Sequence, residues 1–414
     1  MFTKLKNLGP GLLFAGAAIG VSHLVQSTRA GASFGFGLIW ALLLVNLFKY
    51  PFFQFGPRYA TATGESLLDG YKKLGKGVLT TYYILNLATI FTIQTGVTIV
   101  TAGLASNLFG EFKVLTIGNK TISSTEIWTV IILVVCLLLL IIGKYKLLDR
   151  LMKFIVITLT ISTLIAVSMA FSKNENHFSI AQILPNQPMD IAFLIAFMGW
   201  MPAPLDVSIW QSLWAIKKNE DTKQYHTKSA LFDFNIGYLS TIILGLGFLL
   251  LGALVMYGSG ETFSNSASVF SSQLIQMYTK NLGSWAYVII GIAAFTTMFS
   301  TTLTTLDASP RAMAKTTQLL FKNSSKFNYL FWIILLTLGT VAIFFFFASE
   351  MGFLIKTATI LSFITAPFYA IANYLLITSK HTPKQWQPNM KLRILSWLGI
   401  VFLIGFSIWY LTTL

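Results

Sequence analysis

The sequence predicts an all-α integral membrane protein of eleven spans, ten of them forming two five-span repeats of opposite sense, with the first and sixth spans broken. Three observations predict it. The 414-residue chain is 55% hydrophobic and only 10% charged, with a mean hydropathy of +0.71, which is membrane composition rather than that of a soluble core. Eleven apolar segments are long enough to cross a ~30 Å hydrocarbon core, which takes about 20 helical residues. Two of these segments, one in each half, are interrupted by glycine, proline and polar residues. Broken helices in corresponding positions of two halves mark a binding site at mid-membrane depth.

The spans are expected at 10–31, 34–56, 79–108, 127–143, 148–171, 190–214, 229–256, 284–306, 328–348, 351–379 and 390–412. The first opens with Leu12, Leu13 and Phe14, then meets Gly20-Val21-Ser22-His23 before Gln26, Ser27, Thr28 and Arg29 make its second half polar. Unpaired backbone groups cannot face lipid, so such a break survives only where protein or a cavity satisfies it. A plain kink at Gly20 is the competing reading. This polar break and the immediate second span do not fit a cleavable signal peptide. In the sixth span Gly199, Pro202 and Pro204 fall within six residues. Each proline lacks a donor and clashes with the preceding turn, so the helix is expected to open around Met201 to Leu205. The loop 257–283 contains SVFSSQLIQMYTK, an amphipathic stretch expected to lie flat at the interface, with a gating lid as the alternative. Asn119-Lys120-Thr121 fits a glycosylation acceptor, a weak three-residue match.

The +15 net charge is a topology signal. With the N-terminus inside, the cytoplasmic segments hold 22 of the 29 basic residues, including Arg58, Lys72, Lys73, Lys76, Lys217, Lys218, Arg311 and Lys315. The outer loops hold four (Lys113, Lys120, Lys173 and Lys280), and Arg29, Lys49 and Lys356 fall within spans. An odd number of spans puts the C-terminus outside. The units are then 9–171 for spans one to five, 190–379 for the inverted spans six to ten, and 390–412 for the eleventh. The expected location is the plasma membrane, the partners lipid bilayer and a small ion or solute. Nucleic acid is excluded as a partner, because the basic residues follow the topology. One cysteine, Cys136, inside an apolar run, excludes a disulfide framework and a cysteine metal cluster.

From Gly9 to Trp40 the chain resembles the first span of the NRAMP divalent-metal transporters without a gap. Gly9-Pro10-Gly11-Leu12-Leu13 matches the opening, and Ala30-Gly31-Ala32 with Phe34-Gly35 matches the exit. Met201-Pro202 is similar to the start of the sixth-span motif, and weaker similarity continues to Pro367-Phe368. The resemblance implies an eleven-span, LeuT-type inverted-repeat fold and secondary transport. The departures fall on the metal site. Where the family has Asp-Pro-Gly-Asn, this chain has Gly20-Val21-Ser22-His23, so Gly20 stands for the metal-binding aspartate and His23 for the asparagine. Met201 keeps the metal-contacting methionine, Met198 replaces an alanine, and Ala203-Pro204 replaces His-Asn. Acidic proton-pathway positions of the third span correspond to Ile93 and Gly96.

The candidate site is therefore Gly20, His23, Met198, Met201 and Asp206, with His23 and Met201 as metal donors. Imidazole and thioether suit softer or borderline ions than carboxylate and carbonyl oxygen. Two methionines three apart on a helix face the same way, although methionine in a membrane helix usually packs. An intramembrane ionisable group at a break is a functional candidate by default, which selects His23 and Asp206 as a coupled titrating pair for coupling or gating. Arg29 is the alternative partner of Asp206. Asp233 and Asp307, near helix ends, read as solvated or Arg311-paired acids, and Lys356 as snorkelling. No cofactor is expected beyond a transported divalent metal ion and a coupling proton. A small organic solute on the same fold is the second function. An integral-membrane enzyme is disfavoured by the lack of a nucleophile elbow, an acid pair or loop metal ligands.

Overall fold

A computed structural model describes residues 9–117, 120–142, 145–173, 179–222, 225–321, 325–346 and 351–413. Asn119, Lys4, Lys6, Lys144, Lys223 and Lys322 lie outside them.

The first span forms in three pieces. Helix α1 (Pro10–Ala18) starts on a proline, whose fixed φ suits the first turn and whose missing N–H is not needed there. A π-helical turn follows over Ser22–Ser27, where Ser27 Oγ donates to the Ser22 carbonyl five residues back at 3.2 Å. Helix α2 (Thr28–Phe34) completes the span, and the two halves are bent by 46°. The second span is α3 (Ile39–Thr63). It begins later than the expected 34, because Gly35 adopts a positive φ of 56° and turns the chain before Leu38. Helix α4 (Leu67–Leu74) is set by a capping box, with Ser66 Oγ accepting from Asp69 N–H and the Asp69 carboxylate accepting from Ser66 N–H. Helix α5 (Lys76–Phe109) is the third span, and the antiparallel pair β1 (Leu115–Ile117) and β2 (Lys120–Ile122) leads to α6 (Ser124–Ile142) and α7 (Tyr145–Lys173).

The sixth span opens as its prolines require, with α8 (Pro188–Trp200) and α9 (Val207–Thr222) separated by Met201 to Asp206. Then follow α10 (Thr227–Val255), α11 (Ala267–Leu282), α12 (Ala286–Leu320), α13 (Tyr329–Phe346), α14 (Met351–Thr378) and α15 (Met390–Leu411). Helix α12 runs well past the expected 306, through Pro310, because its last turns leave the apolar region and pair Asp307 with Arg311 at 2.8 Å. Among the described residues eight helices are long and apolar enough to cross a membrane, or nine when the bent first span is counted as one. The apolar part of α7 and helix α8 are shorter.

Helix α10 carries both halves of the first span. A Cβ on Gly11 would lie 2.1 Å from the Asp233 carbonyl, and one on Gly237 2.0 Å from the Gly11 carbonyl. Farther along, a Cβ on Gly31 would lie 2.0 Å from the Leu249 carbonyl and one on Gly252 2.2 Å from the Thr28 carbonyl. Only glycine permits such close approach, the way helices pack in membranes where water drives no association. The sixth span is held the same way, α9 against α3 and α8 against α14. Thus both halves of span one pack on α10, while the second half of span six packs on α3 and the first on α14. Helix α11 is a packed element: Phe270, Leu274, Ile275 and Tyr278 are buried, and it rests on α5.

Candidate functional site

The two breaks face one another. Ala17, Ala18, Val21 and Ser22 of the first span and Trp200, Ala203, Pro204 and Val207 of the sixth line one cavity of about 30 Å³, closed by Ile93 and Val97 of α5 and Thr301 and Thr305 of α12. That volume holds a water molecule or a bare ion. Ile93 therefore sits at the site as an apolar wall, while a Cβ on Gly96 would touch Trp200 at 3.4 Å.

A side chain at Gly20 would run into Thr301. A Cβ there would lie 2.8 Å from Thr301 Cγ2 and 2.9 Å from its Oγ1, and the Thr301 hydroxyl donates to the Gly16 carbonyl at 3.2 Å or the Thr297 carbonyl at 3.1 Å. Thr301 occupies the space of the missing side chain.

His23 is fully buried on the π-helical turn. Its Nε2 lies 2.9 Å from the Thr241 carbonyl, and since a carbonyl only accepts, Nε2 carries a proton. Its Nδ1 lies 2.7 Å from Ser22 Oγ, which is also 2.7 Å from the Ala18 carbonyl. A neutral ring accepts the serine proton at Nδ1; a charged ring donates to Oγ while the serine turns to Ala18. The hydrogen-bond geometry admits either arrangement. Both nitrogens are engaged, so a metal requires one of these bonds to open.

Met201 and His23 both pack against Gly245, where an added Cβ would lie 3.4 Å from the Met201 sulfur and 3.6 Å from His23 Cδ2. The expectation that Met198 and Met201 share a helical face is corrected: α8 ends at Trp200, and Met201 is extended, with φ −87° and ψ 123°. Both side chains are buried in the main apolar core. Among the described residues no group of three His, Cys, Asp or Glu side chains is placed to hold a metal.

Asp206 and His23 do not pair, and neither do Asp206 and Arg29. Asp206 immediately precedes α9 and is buried, yet neither carboxylate oxygen has a hydrogen-bond partner. The N–H groups of Asp206 itself and Val207 lie nearby without reaching bonding geometry. Its electrostatic neighbours are Lys49, Tyr71, Tyr82 and Tyr369. The Tyr82 hydroxyl, the Asn86 amide and the Trp210 indole are also buried without partners. Orphaned buried polar groups are rare and gather where an ion, water or substrate belongs. Arg29 instead donates to the Ser264 carbonyl and stacks 5.3 Å from the Phe270 ring, tying α2 to α11 and the segment before it. Asp233 is neither solvated nor paired with Arg311. It is buried and accepts from Gly11 N–H at 2.8 Å, Gly9 N–H at 3.2 Å and the Tyr225 hydroxyl at 2.6 Å, capping α1 from across the bundle. Lys356 is exposed.

Lys49 enters the sequence reading only as a charge within a span. The structure places it at the centre. It is fully buried, and its ammonium donates to the carbonyls of Gly199 at 2.7 Å, Met198 at 2.8 Å and Met201 at 3.1 Å, with Ala203 at 3.4 Å. The signal that points to it is its type alone, an ionisable residue inside an apolar span.

The model of the natural resistance-associated macrophage protein-like family matches residues 11–413. The chain belongs to the NRAMP family. That family comprises transporters, not enzymes, and this member is a multi-pass membrane protein. An uncharacterised protein of Pasteurella multocida is 37% identical over 99% of this chain and 92% of its own length. A mutant of the Eremococcus coleocola manganese transporter superposes with a TM-score of 0.72 at 13% identity, covering 96% of this chain and 84% of that one. A nucleobase-cation-symport-1 family transporter, closed with bromovinylhydantoin bound, gives 0.60 at 15% identity, covering 98% of this chain and 92% of that one. MhsT in complex with L-phenylalanine gives 0.62 at 13%, covering 96% and 98%. At these identities the solved structures show the fold, that of LeuT-type transporters.

Proposed function

We propose that this NRAMP-family protein moves a metal cation across the membrane by alternating access, the halves of spans one and six gating a site between Ser22-His23 and Met201–Asp206. The observation that carries this reading is that the two breaks face one another across a cavity of about 30 Å³, the place where transporters with broken helices bind their substrates. The soft donors of the two breaks, the His23 imidazole and the Met201 thioether, both pack against Gly245 and are not among the cavity's lining residues. The buried carboxylate of Asp206, which lacks a hydrogen-bond partner, offers a compensating charge, since a buried carboxylate wants a proton or a cation. If uptake is proton-coupled, Asp206 and His23 are the groups to carry it, and Arg29 holds the outer half of span one. The manganese carried by the Eremococcus relative supports a metal substrate. The topology proposed with it is eleven spans with the N-terminus cytoplasmic and the C-terminus external, as repeats 9–171 and 190–379 plus span 390–412, in the plasma membrane.

A small organic solute is the second reading, favoured by one observation. Lys49 already brings a positive charge to the Met201 and Ala203 carbonyls of the unwound segment, which disfavours a second cation there. Calorimetry separates the two. A metal transporter binds a soft or borderline divalent ion, and His23→Ala and Met201→Ala each weaken that ion more than Mg²⁺. No metal affinity at millimolar concentration, with uptake of an amine or amino acid, establishes the organic solute instead.

A further inference from the structure

We infer that the end of α8 is a binding site for an ammonium-sized monovalent cation, and that Lys49 fills it as a cation tethered to the protein. The site arises from the local sequence. An α-helical carbonyl is satisfied by the N–H four residues on. The group four residues after Met198 is Pro202, and four after Trp200 is Pro204, neither of which has an N–H to give. The chain also leaves the helix at Met201, so the carbonyls of Met198 and Gly199 are freed at the negative end of the α8 dipole. Met201 and Ala203, in the unwound segment, turn two more carbonyls toward the same point. The result is a cage of four backbone oxygens around one buried position.

Distances and charge select the occupant. The oxygens lie 2.7, 2.8, 3.1 and 3.4 Å from the central nitrogen. Mg²⁺ demands oxygens at about 2.0–2.1 Å and Ca²⁺ at about 2.3–2.6 Å, and both lean on carboxylates. Four neutral carbonyls at these longer distances instead resemble the carbonyl rings that replace the hydration shell of K⁺ in channel filters. The three shortest contacts match the three protons of an ammonium. A neutral amine would turn a lone pair toward carbonyl lone pairs. Asp206 is the charge within electrostatic reach of the cage. This inference does not depend on which solute the protein carries: in either case the unwound part of span six keeps its own cation and needs no free one.

The test is thermal unfolding of the purified full chain at constant ionic strength in choline, NH₄⁺, K⁺ or Na⁺ chloride. Wild type should unfold at the same temperature in all four. Lys49→Ala should unfold well below wild type in choline and recover in NH₄⁺ and K⁺, the recovery growing with the logarithm of cation concentration as for a ligand of the folded state. Lys49→Met, which keeps the stem and loses the charge, should stay destabilised in every salt. If Lys49→Ala cannot be purified folded in choline, purification in ammonium should yield monodisperse protein. The inference is overturned if Lys49→Ala responds to the cations no more than wild type, if Lys49→Met is as stable as wild type, or if ammonium fails to recover an unfoldable Lys49→Ala.

Discussion

Restoring the family's aspartate at position 20 tests the site most directly. Gly20→Asp places a Cβ 2.8 Å from Thr301 Cγ2 and 2.9 Å from Oγ1, closer than packed atoms stand, so Thr301 or the span-one break has to move. Extra atoms in a packed core cost about 1–3 kcal/mol. Thr301→Ala alone removes the hydroxyl that bonds the Gly16 or Thr297 carbonyl, a net loss of about 0.5–1.5 kcal/mol. It also clears the space that the aspartate needs. The double variant should therefore be more stable than the sum of the single losses, by a coupling of about 0.5–3 kcal/mol as for residues in contact. With a carboxylate added at the first break, it should also gain stability in Mn²⁺ that wild type does not. The assay is unfolding in detergent, followed by tryptophan fluorescence with and without Mn²⁺, on wild type, both single variants and the double. Losses that add within about 0.5 kcal/mol would refute the reasoning, because Thr301 would not be occupying the aspartate's place. So would a Gly20→Asp protein as stable as wild type.

Further outcomes follow from the same geometry. Asp206→Asn keeps shape and fixes the neutral form, so under the proton-coupled reading it should abolish the pH response of uptake between about pH 5 and 8 while the protein stays folded; an unchanged profile with unchanged transport removes Asp206 from the mechanism. Asp69 lies on α4, between spans. Burial works against its carboxylate, but hydrogen bonds from Ser66 and Lys315 and the Lys315 charge at 3.0 Å outweigh that and hold its pKa below the ordinary 3.8. A depressed carboxylate stabilises above its unfolded pKa and loses that contribution as pH falls through its folded value, so Asp69→Asn should unfold below wild type at pH 7 and converge with it beneath pH 3.8. Equal stability at pH 7 would show the pair to be idle. In a Cys136→Ser background, a cysteine at Glu261 should react with an impermeant reagent on intact cells and one at Glu220 should not; the reverse result inverts the proposed topology.

The breaks at Gly20 and at Pro202 and Pro204, the long apolar helices and the family were legible in the residues, because glycine, proline and hydropathy act locally and act the same way in any fold. The opening of span six between Trp200 and Val207 follows from proline chemistry alone. The start of α3 was misplaced because Gly35 turns the chain within an unbroken apolar run, where hydropathy does not change. What the site holds depends on residues far apart in sequence, and only packing decides it. Lys49 reaches carbonyls 149 to 154 positions away, and Thr301 fills the space at Gly20 from 281 residues on (301 − 20). Asp233 caps a helix at the other end of the chain rather than facing water. The apparent partners His23, Asp206 and Arg29 are assigned to three different neighbourhoods. The sequence determined where the backbone had to break and free its carbonyls; the tertiary structure decided which cation satisfies them, since that choice belongs to whichever helix is packed alongside.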